Sequence, residues 1–204
     1  MIKNIIFDIG NVLADFRWKE YIEELGIAPE KRERLALATT IGPFWCEMDR
    51  NVLSTEEVMQ KCISLDKELE PEIRLFFKDR RRLVMEYPFA REWVESLKKR
   101  GYGIYYLSNY SEYDFGYINT HFSFFGLEDG KTVSCFERVI KPDERIYRTL
   151  LNRYFLNPEE CVFLDDSERN VEAAEKLGIH GIVVKDHETA VSDLEKLLSA
   201  EYEK

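Results

Sequence analysis

The chain has 204 residues, of which 45% are hydrophobic and 33% are charged, and these fractions exclude a disordered chain and predict one domain, with or without a smaller insert. Its 39 acidic and 29 basic side chains give a formal net charge of −10, which argues against nucleic acid and anionic membranes as partners. The four cysteines are widely spaced and form no CxxC pair, so we expect reduced thiols rather than a zinc site.

The N-terminal segment predicts a short buried strand. Residues 2–7 are largely apolar, and the strand stops at Asp8, after which Gly10 and Asn11 supply turn residues. The apolar run is too short for a signal peptide or a membrane span. We therefore expect a soluble, cytoplasmic protein.

A helical insert is predicted next. Residues 18–87 show helical periods and many charges but no strand pattern. The predicted helices are Trp18–Leu25, Pro29–Ile41, Ser54–Asp66 and Glu70–Tyr87. Ser54 with Glu57 fits a capping box, which supports a helix that begins there. We therefore expect a helical domain at residues 16–87, and a core domain made of residues 1–15 and 88–204.

Short apolar strands alternate with helices in the rest of the chain. The predicted elements are a helix from Pro88 through Leu97, a strand at Gly103–Leu107, a loop-rich stretch around Phe115–Gly130, a strand near Phe136–Ile140, a helix at Glu144–Tyr154, a strand at Cys161–Leu164, a helix at Asn170–Leu177, a strand at Ile182–Val184 and a charged C-terminal helix. This alternation predicts an α/β fold with a doubly wound, Rossmann-like parallel sheet.

Polar residues directly follow four of the predicted strands. They are Asp8, Ser108-Asn109, Lys141 and Asp165-Asp166. Because ligands of such sheets bind beyond the carboxyl ends of the strands, we expect these side chains to converge on one site.

The converging carboxylates predict a metal. Carboxylates that share a site repel each other unless a cation lies between them, and Mg²⁺ is a hard cation that prefers oxygen ligands. Asp8 and Asp166 are the expected ligands, together with the backbone carbonyl of Gly10 and with Asp165 directly or through water. Lys141 would neutralise a transferring phosphoryl group. Such a set suffices for attack of a carboxylate on phosphorus, which gives an aspartyl-phosphate that water later cleaves.

Four motifs in this order resemble those of the haloacid dehalogenase-like (HAD) hydrolases. They are FDIGNVL at residues 7–13, LSN at 107–109, Lys141-Pro142 and FLDDSERN at 163–170, and the resemblance extends from the first strand to about Ile182. It implies that Asp8 is the nucleophile, that Ser108 binds phosphate, that Lys141 is the orienting cation and that Asp165-Asp166 bind the metal.

The resemblance also implies a substrate class. The helical insert resembles the C1-type cap of the family, which closes over the site and sets substrate choice. The DxGNV first motif is most similar to a subgroup typified by α-D-glucose-1-phosphate phosphatase. We therefore expect a small phosphorylated metabolite, in particular a sugar phosphate, as the partner of a monomer or homodimer. Its expected binding residues are Gly10, Asn11, Ser108, Asn109, Lys141 and Trp45.

Gly10 departs from the family pattern. Most phosphatases of the family have an aspartate two positions after the nucleophile, and proton transfer by such a residue contributes roughly 100- to 10,000-fold in rate. With glycine there, we expect slow turnover, a good leaving group such as an anomeric phosphate, or another base. Asp15 and Glu47 are candidates for that base.

Two other functions stay open. The 2-haloacid dehalogenases of the family also lack the second aspartate, but they attack carbon, need no metal and lack the acidic pair, so Asp165-Asp166 favours a phosphatase. The third alternative is a binder of phosphorylated ligands that has lost turnover together with the second aspartate.

Several of these features also have a purely structural explanation. Asp8 and Ser108-Asn109 suit turns at strand ends, and Asp165-Asp166 suits the start of a helix. The aromatic residues Phe16, Trp18, Phe44 and Trp45 line the substrate pocket or pack between helices. Arg80-Arg81-Arg82 is expected to be a solvated helix face, and the three histidines show no ligand spacing.

Overall fold

The computed structural model describes residues 1–199. Within them the strands are β1 (Asn4–Phe7), β2 (Ala14–Phe16), β3 (Val84–Glu86), β4 (Gly103–Ser108), β5 (Gly130–Val133), β6 (Cys161–Asp165) and β7 (His180–Val183). The α-helices are α1 (Trp18–Glu24), α2 (Pro29–Ala38), α3 (Trp45–Asp49), α4 (Thr55–Leu65), α5 (Glu70–Lys78), α6 (Ala90–Lys99), α7 (Glu112–His121), α8 (Ser134–Glu137), α9 (Glu144–Arg153), α10 (Glu168–Glu175) and α11 (His187–Ser199). None of these helices combines the length and the apolarity needed to cross a membrane.

Five strands form one parallel sheet in the order β5-β4-β1-β6-β7. Successive side chains of a strand point to opposite faces, so Ile5 and Phe7 of β1 join one apolar cluster with α6 and α11, and Ile6 joins the other with α9. Both faces of the sheet are thus covered by helices. This arrangement confirms the predicted doubly wound α/β fold.

The path of the chain reverses at the centre of the sheet. From β1 it proceeds to β4 and β5 on one side, and it then crosses over to β6 and β7 on the other side. Loops at such a switch point diverge and leave a crevice at the carboxyl ends of the strands. Asp8 follows β1, and Ser108 and Asp165 end β4 and β6, so all three lie at this crevice.

A helical insert, defined here as residues 17–83, contains α1–α5 and lies between β2 and β3, which pair as an antiparallel ribbon. The capping box predicted at Ser54 and Glu57 is confirmed. The predicted helix Glu70–Tyr87 is wrong beyond Lys78, because residues 84–86 form a strand instead. The ribbon went unpredicted because three-residue strands carry almost no periodicity, and a long-range pairing decides their conformation.

Two predictions in the second half of the chain are wrong. The edge strand is β5 rather than Phe136–Ile140, where α8 ends and a loop begins. The sequence of β5, GKTV, has no apolar run, and Gly130 is required because a Cβ there would lie 2.3 Å from the ring of Tyr154. Part of the predicted loop region is the helix α7, which Ser111 caps by accepting a hydrogen bond from the Asp114 amide.

Candidate active site

The carboxylate of Asp8 is held at the carboxyl end of β1. Its Oδ1 atom accepts hydrogen bonds from the Ile9 amide at 2.7 Å and from Ser108 Oγ at 2.5 Å, and Lys141 Nζ lies 2.8 Å away. Its Oδ2 atom accepts no hydrogen bond from any of residues 1–199. One oxygen of a nearly buried carboxylate is therefore fixed, and the other is left open toward a pocket that Asp8 lines.

Lys141 is buried beneath the site although it follows no strand directly, which corrects the predicted position after a third strand. Its Nζ donates to Asp165 Oδ2 at 2.6 Å and to the Leu107 carbonyl at 3.0 Å. The Asn109 side chain binds the Lys141 backbone twice, accepting from its amide at 2.9 Å and donating to its carbonyl at 3.2 Å. The loop that carries Lys141 is thereby tied to the end of β4.

The two aspartates after β6 differ in their bonding. Asp165 is fully buried, and its two oxygens accept hydrogen bonds from Lys141, from Asn170 and from the Ser167 amide. Asp166 is exposed, and Asn11 is the one side chain among residues 1–199 that donates to it, at 2.8 Å. Asp165 is therefore saturated by protein donors, whereas Asp166 keeps room for another ligand.

The turn after β1 orients Asn11 for this contact. Asn11 has a φ of 54°, a left-handed conformation that asparagine tolerates better than most residues. Its Oδ1 accepts from the Phe16 amide at 3.1 Å while its Nδ2 donates to Asp166. The side chain thus joins the loop after β1 to the loop after β6.

Burial and mutual repulsion shape the electrostatics. Burial raises the pKa of Asp8 to about 7; the Asp165 carboxylate adds to this rise, and Lys141 opposes it. Although Asp166 is exposed as a residue, partial desolvation of its carboxyl group raises its pKa, against the hydrogen bond from Asn11. Burial alone would lower the pKa of Lys141, but Asp165 and Asp8 outweigh it and raise this pKa. The site thus holds more negative charge than one lysine neutralises.

The donor set fits a hard divalent cation. Asp8, Asp165 and Asp166 each offer a carboxylate oxygen, and these oxygens lie within 4.8 Å of one another. Lys141 pairs with Asp8 and Asp165, and no basic side chain among residues 1–199 pairs with Asp166. Oxygen ligands with excess negative charge suit Mg²⁺, which is held by a few carboxylates together with water and phosphate.

A pocket of about 250 Å³ opens above this cluster. Core residues that line it are Asp8, Gly10, Asn11, Ser108, Asn109, Tyr110, Asp114, Lys141, Asp166 and Asn170. The β2–β3 ribbon and the helical insert supply Phe16, Trp45, Asp49, Arg80, Leu83 and Val84. The pocket therefore combines a polar floor with a wall that is largely apolar and aromatic.

The aromatic candidates divide between pocket and packing. Phe16 and Trp45 line the pocket, with ring centroids 6.2 Å apart. Trp18 and Phe44 are absent from the described lining and pack against the core. Asp15 and Glu47 do not line the pocket formed by the described residues either, so neither is placed to replace the missing aspartate.

The expectation of a solvated arginine run is wrong for its first member. Arg80 is 3% exposed and forms an ion pair of 3.1 Å with Asp114, whereas Arg81 and Arg82 are exposed. It lies beyond the end of α5, in a turn whose Asp79 carbonyl accepts a hydrogen bond from Tyr21. No local pattern distinguishes Arg80 from its neighbours, because its burial depends on a residue 34 positions away.

Asp49 and Asp114 are further pocket residues that the sequence interpretation missed. A signal existed for Asp114, since Ser111 and Asp114 have the spacing of a helix start and Asp114 lies in the first turn of α7. Asp49 ends the short helix α3, and the structure alone places it in the pocket.

A family model for haloacid dehalogenase-like hydrolases matches residues 2–178. Together with the doubly wound sheet and the cluster at its switch point, this match shows that the chain belongs to the haloacid dehalogenase-like hydrolases, a family of enzymes. The family membership predicted from the four motifs is confirmed. The C1-type cap and the similarity to α-D-glucose-1-phosphate phosphatase stay predictions.

Curated relatives cover the chain almost completely. The mouse protein "Acyl-CoA dehydrogenase family member 10" is 31% identical over 211 residues, which cover 95% of this chain and 19% of that protein. This chain thus spans about a fifth of the length of that relative. The "Sesquiterpene phosphatase astK" of Aspergillus oryzae is 24% identical over 197 residues, and the alignment covers 96% of this chain and 96% of that protein.

Solved structures share the fold at low identity. A HAD family enzyme of Bacteroides thetaiotaomicron, in complex with magnesium and inorganic phosphate, has a TM-score of 0.70 at 19% identity, with 91% of this chain and 95% of that chain covered. The L-2-haloacid dehalogenase of Xanthobacter autotrophicus has a TM-score of 0.65 at 16% identity, with 94% and 81% covered. The shared fold therefore does not distinguish between phosphate ester hydrolysis and dehalogenation.

Proposed function

We propose that the protein is a Mg²⁺-dependent phosphatase that hydrolyses a small phosphate monoester, in particular a sugar phosphate, through an aspartyl-phosphate on Asp8. The observation that carries this proposal is the asymmetric environment of Asp8. Three groups fix Oδ1, and Oδ2 is left open toward the pocket beside Asp165 and Asp166. A fixed carboxylate with one open oxygen next to a cation site is suited to attack phosphorus.

In the first step, Asp8 Oδ2 attacks phosphorus and the bond from phosphorus to the leaving oxygen breaks. Lys141 Nζ, 2.8 Å from the other oxygen of Asp8, keeps the carboxylate oriented and neutralises charge. Ser108 donates its single hydroxyl hydrogen to Asp8 in the free protein, and we expect this hydrogen to turn to a phosphate oxygen when substrate binds. Water then cleaves the aspartyl-phosphate, which releases inorganic phosphate and restores the Asp8 carboxylate.

The residues expected to hold Mg²⁺ are Asp8, Asp166 and the backbone carbonyl of Gly10. Asp166 is favoured over Asp165 as the direct ligand, because protein donors already saturate both oxygens of Asp165. Asp165 then holds the Lys141 ammonium group in place and adds a further carboxylate to the site. Bound Mg²⁺ supplies the positive charge that lets a phosphate dianion approach these carboxylates.

The helical insert serves in this proposal as a cap. It contributes Trp45 to the pocket wall, and the insert would exclude bulk water when a substrate is bound. A sugar fits a wall of this kind, because its C–H faces pack on aromatic rings such as those of Phe16 and Trp45. An anomeric leaving group also lessens the need for the acid that Gly10 cannot provide.

The test is release of phosphate from a panel of monoesters, measured with Mg²⁺ and with EDTA. The panel includes sugar phosphates, nucleotides and a sesquiterpenyl phosphate, since one relative is named a sesquiterpene phosphatase. Release that requires Mg²⁺ and disappears in Asp8→Asn supports the proposal. Halide release from a 2-haloacid in EDTA, or phosphate release that persists in Asp8→Asn, contradicts it.

A further inference from the structure

The wall of the pocket contains a polar cluster that the proposed reaction does not use. It consists of Asp49 and Arg80 from the helical insert and Asp114 from α7, and all three line the pocket. Buried polar residues in an otherwise apolar wall are costly to retain unless their hydrogen-bonding capacity is satisfied. Arg80 keeps such capacity unsatisfied within residues 1–199, whereas the backbone of Ser111 contacts the carboxyl group of Asp49.

Arg80 is the rigid member of the cluster. Its side chain is 1% exposed and binds Asp114 through Nε at 3.1 and 3.2 Å and through Nη2 at 3.1 Å. Its guanidinium also lies over the rings of Phe77 and Tyr113, with centroids 5.3 and 5.1 Å away. Asp114 in turn accepts a hydrogen bond from Ser111 Oγ at 2.6 Å. The guanidinium is thus locked in place, and Asp114 neutralises its charge.

The remaining nitrogen of this guanidinium, Nη1, has no acceptor in the part of the chain that the structure describes. None of residues 1–199 accepts a hydrogen bond from it, although Nε and Nη2 are both bonded. Arg80 lines the pocket, and its two Nη1 hydrogens are the donors that it has left to offer a ligand.

Asp49 supplies the complementary group. The hydroxyl of Ser134, a core residue, donates to the Asp49 backbone carbonyl at 2.7 Å and so fixes the end of α3. Burial, with the Asp114 carboxylate in second place, raises the pKa of Asp49 to about 8. Its carboxyl group can accept a hydrogen bond in either protonation state, and it can also donate one when it is protonated.

The net charge of the cluster identifies the chemistry of its ligand. Asp114 neutralises Arg80, so the cluster has no spare positive charge in either protonation state of Asp49. A carboxylate or a second phosphate would bring a buried charge without a counter-charge, whereas hydroxyl groups use the same donors and acceptor without this cost. A hydrocarbon leaving group would leave these donors and the acceptor unpaired. A site that hydrogen-bonds hydroxyl groups therefore discriminates strongly against such a ligand.

We infer that Arg80 and Asp49 form a subsite that binds hydroxyl groups of the leaving group, so that the substrate is the phosphate ester of a polyol or sugar rather than of a hydrocarbon. This inference rests on the proposed phosphatase function and extends it from the phosphoryl group to the group that leaves. It also gives the helical insert a direct part in substrate choice.

The experiment compares two substrates with the same phosphoryl group, α-D-glucose 1-phosphate and phenyl phosphate. In Asp49→Leu, we expect the ratio of kcat/KM for the sugar phosphate to kcat/KM for phenyl phosphate to fall about tenfold, the effect of one or two lost hydrogen bonds. Asp193→Leu, which changes an exposed aspartate of α11, is the matched control and should keep the ratio. An unchanged ratio in Asp49→Leu, or an equal loss on both substrates, overturns the subsite.

A binding measurement keeps this test independent of turnover. In the Asp8→Asn background with Mg²⁺, calorimetry gives the Kd of α-D-glucose 1-phosphate and that of inorganic phosphate. We expect the sugar phosphate to bind about tenfold more tightly, and Asp49→Leu to abolish this preference. If Asp8→Asn shows no preference, or Asp49→Leu retains it, the subsite is wrong. Failure of the proposed function is a separate result, namely no phosphate release by the unmodified protein from any ester.

Discussion

Lys141 and Asp8 form a buried ion pair, with Nζ 2.8 Å from Oδ1 and with side chains that are 1% and 10% exposed. The same Nζ lies 2.6 Å from Asp165, so one ammonium group serves two carboxylates. A buried pair of this kind adds little net stability, but removal of one partner leaves an uncompensated charge. We therefore expect the lysine to matter for the folding of the site as well as for the proposed chemistry.

Lys141→Ala is expected to reduce the free energy of unfolding by about 3–5 kcal/mol, the usual cost of breaking a buried ion pair. Chemical denaturation in EDTA measures the change. Lys196→Ala is the matched control, because Lys196 forms an exposed pair with Asp193 at 2.8 Å and exposed pairs contribute about 0–1 kcal/mol. Equal losses in the two variants would show that burial does not set the contribution of Lys141.

Mg²⁺ is expected to stabilise the folded protein before any substrate is added. At a concentration of 100 times Kd, binding stabilises the folded state by about 2.7 kcal/mol, which raises the Tm by roughly 5–10 °C for a chain of this size. Asp166→Asn should lose most of this shift, because it replaces the ligand with the most free coordination capacity. Differential scanning calorimetry with and without Mg²⁺ is the measurement.

The matched control for that experiment is Asp193→Asn, which carries the same chemical change on the exposed face of α11. It should keep the full Mg²⁺-dependent rise in Tm. A rise of the same size in Asp166→Asn would place the cation elsewhere, and no rise in the unmodified protein would remove the metal from the proposal.

Gly10→Asp is expected to raise kcat. A Cβ at Gly10 would meet no atom within 4 Å, and Gly10 lines the pocket, so the backbone leaves room for a side chain to begin there. If protonation of the leaving group limits the rate, a carboxyl group supplies the missing proton transfer and raises kcat by about 100-fold or more on an alkyl phosphate. Stopped assays of phosphate release measure kcat of the variant and of the unmodified protein.

Gly10→Asn separates proton transfer from steric effects, because asparagine has nearly the same size but cannot transfer a proton. It should give no gain in kcat. The gain in Gly10→Asp should also be smaller on an aryl phosphate, whose leaving group needs little protonation. A Gly10→Asp variant no faster than Gly10→Asn on the alkyl phosphate would show that the glycine does not limit turnover.

The chemistry at the strand ends was predictable, because it depends on local sequence and one general rule. The buried runs that end at Asp8, Ser108 and Asp165 each identify a strand, and the rule for parallel sheets brings their ends together. The rule requires no knowledge of side-chain contacts. For that reason the floor of the pocket could be predicted before the fold was known.

The wall of the pocket could not be predicted in this way. Arg80 is indistinguishable by sequence from the two arginines that follow it, and its contacts with Asp114 and with the rings of Phe77 and Tyr113 bury it. β3 begins at Val84 and has three residues, too few for a detectable period. Residues from the helical insert reach the site through packing between distant segments, and a single sequence carries no direct record of such packing.

Asp49 predicts a characteristic dependence of stability on pH. Its pKa is raised from 3.8 to about 8, so between these values the folded protein retains a proton that the unfolded chain has lost. The contribution is therefore fully present below about pH 4 and is lost as pH rises toward 8, at up to about 1.4 kcal/mol per pH unit. Asp49→Asn stays neutral throughout, so its free energy of unfolding relative to the unmodified protein should rise from pH 5 to pH 7.5.

Urea denaturation at several pH values measures this difference, and the comparison cancels the contributions of Asp8 and other groups common to both proteins. Asp186→Asn is the control, because hydrogen bonds from Thr189, its backbone N–H first, lower the pKa of Asp186. A lowered pKa confines its effect to pH values below about 4, so the difference for this control should stay constant from pH 5 to pH 7.5. A constant difference for Asp49→Asn as well would mean that its carboxyl is ionised in the pocket. The cluster would then carry a net negative charge, and it would favour a cationic leaving group over a hydroxylated one.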